Sequence, residues 1–279
     1  MMAAIQPMPE TTMSIDHFSI FKQLHHAATP LLLANVWDPA SAVLVQSSGA
    51  PALATSSAAV AWALGYADGS KLPREETMGA IRRIARVIKV PLTVDMEDGY
   101  SDDPETVADT VAEAADCGAC GINLEDSGKA PESLARKIEA IKRRPQGRQV
   151  FINARTDVYL RGLAEGDAAV AMATERLRLF AEAGADGAFV PGLAAPEAVA
   201  RVVQGTALPL NLMLMPGMAP IAELHAAGVR RFSAGPSLFR AAYGHALGLA
   251  QRLQAAQSTV GLFDSGEVTY ASMNAAMPD

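Results

Sequence analysis

The chain has 279 residues, of which 50% are hydrophobic and 19% charged, values of an ordinary globular protein that exclude a disordered or solvating chain. Lys and Arg number 23 against 30 Asp and Glu, a net charge of −7 with no basic block, so nucleic acid is not an expected partner. No apolar stretch approaches the ~18 residues of a membrane helix, and two cysteines are too few for a disulfide framework, so a cytoplasmic protein without membrane contact is expected.

In chain order, residues 1–13 have neither a basic start nor an apolar core and are expected to be a flexible leader. A helix is predicted over Ile15 to His26, with His25 and His26 on its surface. Eight short apolar runs follow: Leu31 to Asn35, Ala52 to Ser56, Leu92 to Met96, Gly121 to Glu125, Val150 to Ala154, Gly187 to Val190, Leu208 to Met213 and Arg231 to Ala234. The segments between them carry helical periodicity, as in Thr77, Ile81, Ile84 and Ile88, and Asp38-Pro39 and Asp103-Pro104 read as helix starts. This alternation predicts an α/β fold, a (β/α)₈ TIM-type barrel over residues 14–257, with an extra N-terminal helix and a C-terminal helical segment over 258–279.

Chemistry in such a barrel sits where strands end. Those positions hold Asn35, Ser56 and Ser57, Asp95 and Glu97, Glu125 and Asp126, Asn153 and Arg155, Pro191, Asn211 and Ser233. Strand alternation turns Asp95 with Glu97, Asn123 with Glu125, and Asn153 with Arg155 toward the barrel axis. Three carboxylates converging there would repel one another unless a cation shared the site. Their donors are all oxygen, and no histidine or cysteine falls at a strand end, so Mg²⁺ or Mn²⁺ is the expected metal.

Arg155 is the strand-end cation, suited to grip a substrate carboxylate with both arms of its fork; a salt bridge to Glu125 or Glu97 is its structural alternative. Ser56, Ser57 and Ala58 follow the second run, where small residues let backbone N–H groups face a developing oxyanion. Trp62 is placed in the loop after that run, as pocket wall or helix packing. Cys117 and Cys120 bridge a helix end to a strand start and read as inert. The lysines lie off the strands, which argues against a Schiff-base aldolase.

Six segments in register resemble the isocitrate lyase and phosphoenolpyruvate mutase superfamily. They are Thr55-Ser-Ser57, Leu64-Gly-Tyr-Ala-Asp68, Val94-Asp-Met-Glu-Asp-Gly-Tyr100, Gly121-Ile-Asn-Leu-Glu-Asp126, Ile152-Asn-Ala-Arg-Thr-Asp157 and Phe189-Val-Pro-Gly192. The resemblance implies a barrel enzyme that holds an α-oxycarboxylate on Mg²⁺ and assembles as a homo-oligomer, usually a tetramer of dimers exchanging a C-terminal helix. It makes Asp95 the direct metal ligand, with Asp68, Glu97 and Glu125 holding the metal's waters. Arg155 would bind the substrate carboxylate, and Ser56 with Ser57 and Ala58 would cradle its oxygens; Asn211, as a polar residue at a strand end, is expected at the substrate site on its position alone.

The lyases carry a Lys-Lys-Cys-Gly-His loop where this chain has Glu125-Asp-Ser-Gly-Lys-Ala-Pro-Glu132, without cysteine or histidine. They also carry a glutamate where this chain has Pro191-Gly192. Lys129 is the loop's candidate for a catalytic role. The expectation is a Mg²⁺-dependent lyase or decarboxylase cleaving a C–C bond of a small 2-oxo or 2-hydroxy acid through an enolate. The alternatives are a phosphonopyruvate mutase or hydrolase, and a barrel that binds α-keto acids without turnover.

Overall fold

The apolar runs become strands because each is short, rich in Leu, Ile, Val and Phe, and covered on both sides once helices pack outside and side chains fill the ring. The structure is a computed structural model describing residues 16–278, so the leader expected over 1–13 lies outside the described residues. Nine parallel segments form: β1 Leu31–Leu33, β2 Asn35–Val36, β3 Leu53–Thr55, β4 Leu92–Asp95, β5 Gly121–Glu125, β6 Phe151–Arg155, β7 Gly187–Phe189, β8 Leu210–Met213 and β9 Arg231–Ser233. They are the eight predicted strands, the first broken at Ala34 into two halves. β1 pairs with β9 and β2 with β3, and this closes the ring.

The outer helices are α1 His17–Leu24, α2 Pro39–Ser47, α3 Ser57–Ala63, α4 Arg74–Ala85, α5 Pro104–Asp116, α6 Pro131–Arg143, α7 Gly166–Glu182, α8 Pro196–Gln204, α9 Ile221–Ala226, α10 Ser237–Ala256 and α11 Tyr270–Ala276. Asp38 caps α2 by accepting from Ser41 N at 2.7 Å, and Asp103 caps α5 from Thr106 N at 2.9 Å, each satisfying an amide that the helix start leaves free. The inward stripes, such as Ile81 and Ile84 of α4 and Ile138 and Ile141 of α6, are buried against the strands. Each such side chain contributes roughly 1.5–3 kcal/mol. No described helix is long and apolar enough to cross a membrane.

α1 closes the lower end of the ring. Its Phe21 is fully buried beside Leu31, Leu33, Ala52, Ala54, Cys120 and Phe151. Room for it comes from Gly121, where a Cβ would lie 2.9 Å from the Phe21 ring, and from Gly187, where a Cβ would lie 2.8 Å from Phe151. His25 corrects the expectation of a surface residue. It is 1% exposed, stacks on Phe151 with centroids 4.1 Å apart, and its Nδ1 bonds the Phe21 carbonyl at 2.8 Å. His26 is exposed. Periodicity could not separate the two, because one residue of rotation on a helix crosses from the packed face to the wet one.

Trp62 also departs from expectation: it lies in α3, half-exposed, with its ring 5.6 Å from Phe239 of α10. The cysteines are both buried and free, as an inert pair requires. α10 has no buried residue along its 20 positions, and Tyr243, Leu247, Phe263 and Tyr270 stand exposed along it and the chain that follows.

Candidate active site

At the upper end of the ring, strand ends and loops enclose a cavity of about 190 Å³. Ser56, Ser57, Ala58, Asp68, Asp95 and Arg155 all line it, so six of the expected site residues come together. Asn35, Asn123, Ser233 and Phe189 complete much of the wall. Asn35 is held by donating to Thr55 O at 2.7 Å and accepting from Gly235 N at 2.9 Å, which ties the broken first strand to both of its neighbours.

Asp95 ends β4, and its Oδ2 accepts from the Ser57 hydroxyl at 3.0 Å and, less closely, from the Ser57 amide at 3.4 Å. Thr55 Oγ1 accepts from the Asp95 amide at 3.0 Å, fixing the backbone from the neighbouring strand. Asp68 reaches the cavity from the loop after α3. Glu97 was expected to share a face with Asp95 by strand alternation. It lies two residues beyond the end of β4 in a left-handed turn, φ 50°, and its carboxylate turns to the amide and hydroxyl of Ser70. It meets Asp95 and Ser57 in a small adjoining hollow, and burial raises its pKa above the ordinary carboxylate value.

Glu125 and Arg155 are register partners on β5 and β6, and their side chains meet at 2.7 Å. Burial pushes the Glu125 carboxyl up to about 7 against the pull of Arg155. Arg155 is shared: its Nε bonds Asp157 at 2.7 Å, and Asp157 also takes Arg161 at 3.1 Å. The salt bridge weighed from sequence is therefore present, with Glu125, and the guanidinium still faces the cavity. Asp157 was missed, although it keeps the alternation of Asn153 and Arg155 one step further along the chain.

Asn211 was expected at the substrate site. It is fully buried, and its Nδ2 donates at 3.3 Å to the hydroxyl of Ser233, which lines the cavity. Alternation gives the face of a strand but not the depth. Lys129 lies in the adjoining surface hollow with Ser70, Tyr100 and Asp102, its Nζ at 2.9 Å from Asp102 and 3.4 Å from Asp98. Its loop hangs on Asp126, which accepts from Arg176 at 2.6 Å, Thr156 at 2.7 Å, Gly128 N at 2.9 Å and Asp157 N at 3.1 Å. Four donors make Asp126 a structural anchor.

The donors facing the cavity fit a hard divalent cation. Asp68 and Asp95 offer carboxylate oxygen, the wall holds no histidine or cysteine, and no three His, Cys, Asp or Glu among the described residues stand close enough to form a complete cage. Few direct carboxylates with space for water is how Mg²⁺ is usually held.

A parallel barrel with this oxygen-rich mouth defines the structural class, and comparison with known proteins gives the family. The profile of the phosphoenolpyruvate phosphomutase family matches residues 21–254. The chain belongs to that family and so to the PEP mutase/isocitrate lyase superfamily. An uncharacterized protein of Mycobacterium tuberculosis is 37% identical over 220 residues, covering 77% of this chain and 81% of that protein. A crystal structure of a provisionally named phosphonomutase from Burkholderia cenocepacia J2315 superposes with a TM-score of 0.80 at 38% identity, covering 85% of this chain and 99% of that one. A structure of oxaloacetate acetylhydrolase in complex with its product oxalate superposes with a TM-score of 0.81 at 25% identity, covering 94% and 93%.

Proposed function

We propose that the protein is a Mg²⁺-dependent lyase or decarboxylase that cleaves a C–C bond of a small 2-oxo or 2-hydroxy acid. One observation carries this reading: Asp68, Asp95 and Arg155 meet the first residues of α3, Ser57 and Ala58, around a single small cavity at the strand ends. On this reading Asp95 would hold the cation directly, with Asp68, Glu97 and Glu125 holding it through water. A cation held there would supply Lewis-acid charge to the substrate's α-oxygen.

Arg155 takes the substrate carboxylate. Glu125 and Asp157 hold its fork in place, so little side-chain freedom is lost on binding. Ser56, Ser57 and Ala58 bring small side chains and backbone N–H groups to the oxygens that gain charge as the bond breaks. Lys129, released from Asp98 and Asp102 when its loop moves, is the proton donor of this reading. The likeness to an oxaloacetate acetylhydrolase with oxalate bound supports a planar dicarboxylate or enolate as the shape of ligand. The exposed apolar residues of α10 and beyond fit a homo-oligomer in which the C-terminal segment from 258 is exchanged between subunits.

The test is a screen of the purified protein with Mg²⁺ against oxaloacetate, phosphonopyruvate, methylisocitrate and substituted malates, with product identification. Metal-dependent C–C cleavage of one of them is the expected result. Turnover of phosphonopyruvate alone would replace this reading with the P–C one, and oxalate binding without any turnover would replace it with a binding protein.

A further inference from the structure

Asn123 and Arg231 take no part in the cation or carboxylate grip proposed for the cavity, and the two touch. Asn123 sits on β5 as register partner of Asp95 and of Asn153, and it lines the cavity. Its Oδ1 accepts from Asn153 Nδ2 at 2.8 Å and from Arg231 Nη2 at 3.1 Å. Two donors on one oxygen settle which way the planar amide faces, since the flipped amide would set N–H against N–H. The Asn123 amide nitrogen, for which no described residue acts as acceptor, is thereby turned to the cavity that Asp95 and Arg155 share.

Arg231 is an expensive way to hold that amide. It starts β9, is 0% exposed, and makes no ion pair with any described carboxylate. Its Nε and Nη1 find no protein partner among the described residues, the Phe21 ring centroid lies 5.8 Å from its Cζ, and burial pushes the guanidinium down to about 9. A methionine would fill much of the same space without a charge to bury. Replacing buried ions by apolar side chains of similar volume is often neutral or stabilising. A group that costs stability and orients one cavity residue is explained by what that residue does.

We propose that Asn123 donates a hydrogen bond from its side-chain amide to an oxygen of the bound carboxylate or enolate, and that Arg231 is the positioning residue that keeps the amide facing it. The inference rests on the site reading above and adds a neutral donor to the charged ones already there. It also makes a demand on the ligand: an acceptor oxygen must lie over β5 as well as over Arg155.

The experiment measures Mg²⁺-dependent oxalate affinity by calorimetry, and Tm of the metal-free protein, for wild type, Asn123→Leu and Arg231→Met. Both variants are expected to bind oxalate roughly 10- to 100-fold more weakly, the span of a hydrogen bond to a charged acceptor. Arg231→Met is expected to melt at the same temperature as wild type or higher. Unchanged oxalate affinity in Asn123→Leu overturns the donor role. A Tm for Arg231→Met lower than wild type by more than about 4 °C, a loss of about 1 kcal/mol or more on the usual scaling, makes Arg231 ordinary structural support and overturns the positioning role. If wild type itself binds no oxalate with Mg²⁺, the site reading fails first and takes this inference with it, a result distinct from failure of the variants alone.

Discussion

At the lower end of the barrel, α1 presses Phe21 and His25 onto Phe151, and Gly121 and Gly187 leave the space they fill. At the upper end Asp68, Asp95 and Arg155 surround an open cavity, with carboxylates at Glu97 and Glu125 close behind. The same strands run through both ends, so strand sequence alone does not separate them. The lower end gains free energy by removing apolar surface from water. The upper end keeps charges near one another at a cost that its ion pairs and hydrogen bonds offset only in part, which leaves room for a bound ligand to add to them. Stability and ligand binding should therefore respond to substitution at opposite ends.

The sharpest break is expected from Asp95→Ala. Mg²⁺-dependent oxalate binding should be abolished, while Tm moves by no more than about 2 °C, because the side chain faces the cavity and leaves little packing behind. Calorimetry showing unchanged oxalate affinity would remove Asp95 from the metal site. Phe21→Ala is the converse. Urea unfolding should show a loss of roughly 3–5 kcal/mol, as for a fully buried phenylalanine, with oxalate affinity of the folded protein retained. A variant that loses both together would mean that the two ends are one cooperative unit.

A smaller effect is expected from Arg155→Lys. Charge is kept, but the fork that reaches Glu125, Asp157 and the ligand at once is not, so affinity for the best substrate should fall by about 1.5–3 kcal/mol. A neutral result would leave Arg155 as part of the Glu125 and Asp157 ion-pair network only. The smallest effect is one of pH at the lower end. Burial pushes His25 down to about 3 from the ordinary 6.5, because a proton on its Nε2 would find no acceptor. The folded protein keeps His25 neutral while the unfolded chain protonates it. Its contribution is therefore complete above pH 6.5 and is lost as pH falls from there toward 3, about 1.4 kcal/mol by pH 5.5. His25→Phe should flatten that part of the urea-derived stability profile; an unaltered slope would assign it to other groups.

The barrel was legible because the strands are short apolar runs alternating with helices, several of which end in glycine, as at Gly118, Gly184 and Gly228, and the cavity was legible because Asp95 and Arg155 keep strand alternation to the last residue. The turn that takes Glu97 off the strand is not legible, because nothing in Met96-Glu97-Asp98 announces a left-handed residue. Asn211 and Ser233 are both inward polar residues, and depth inside a ring depends on stagger between strands, which no single run reveals. Arg231 carries a readable signal. It shares the parity of Ser233, so inward alternation placed it inside the barrel, yet a pair such as Arg230-Arg231 reads first as surface charge.

The break at Ala34 has a consequence for how the ring is made. β1 has to wait for Arg231–Ser233 before its outer edge is paired, and the Asn35 to Gly235 bond spans 200 residues of chain. Such pairings close late, since the loop entropy is lost before the contact returns anything. During synthesis the first strand emerges long before its partner, with an open edge of the kind that sticks to other chains. Phe151 arrives much earlier than β9, and by docking on Phe21 it can hold the N-terminal segment against the growing sheet until the last strand comes. In that order of events α1 is a placeholder in assembly before it is a floor in the finished barrel.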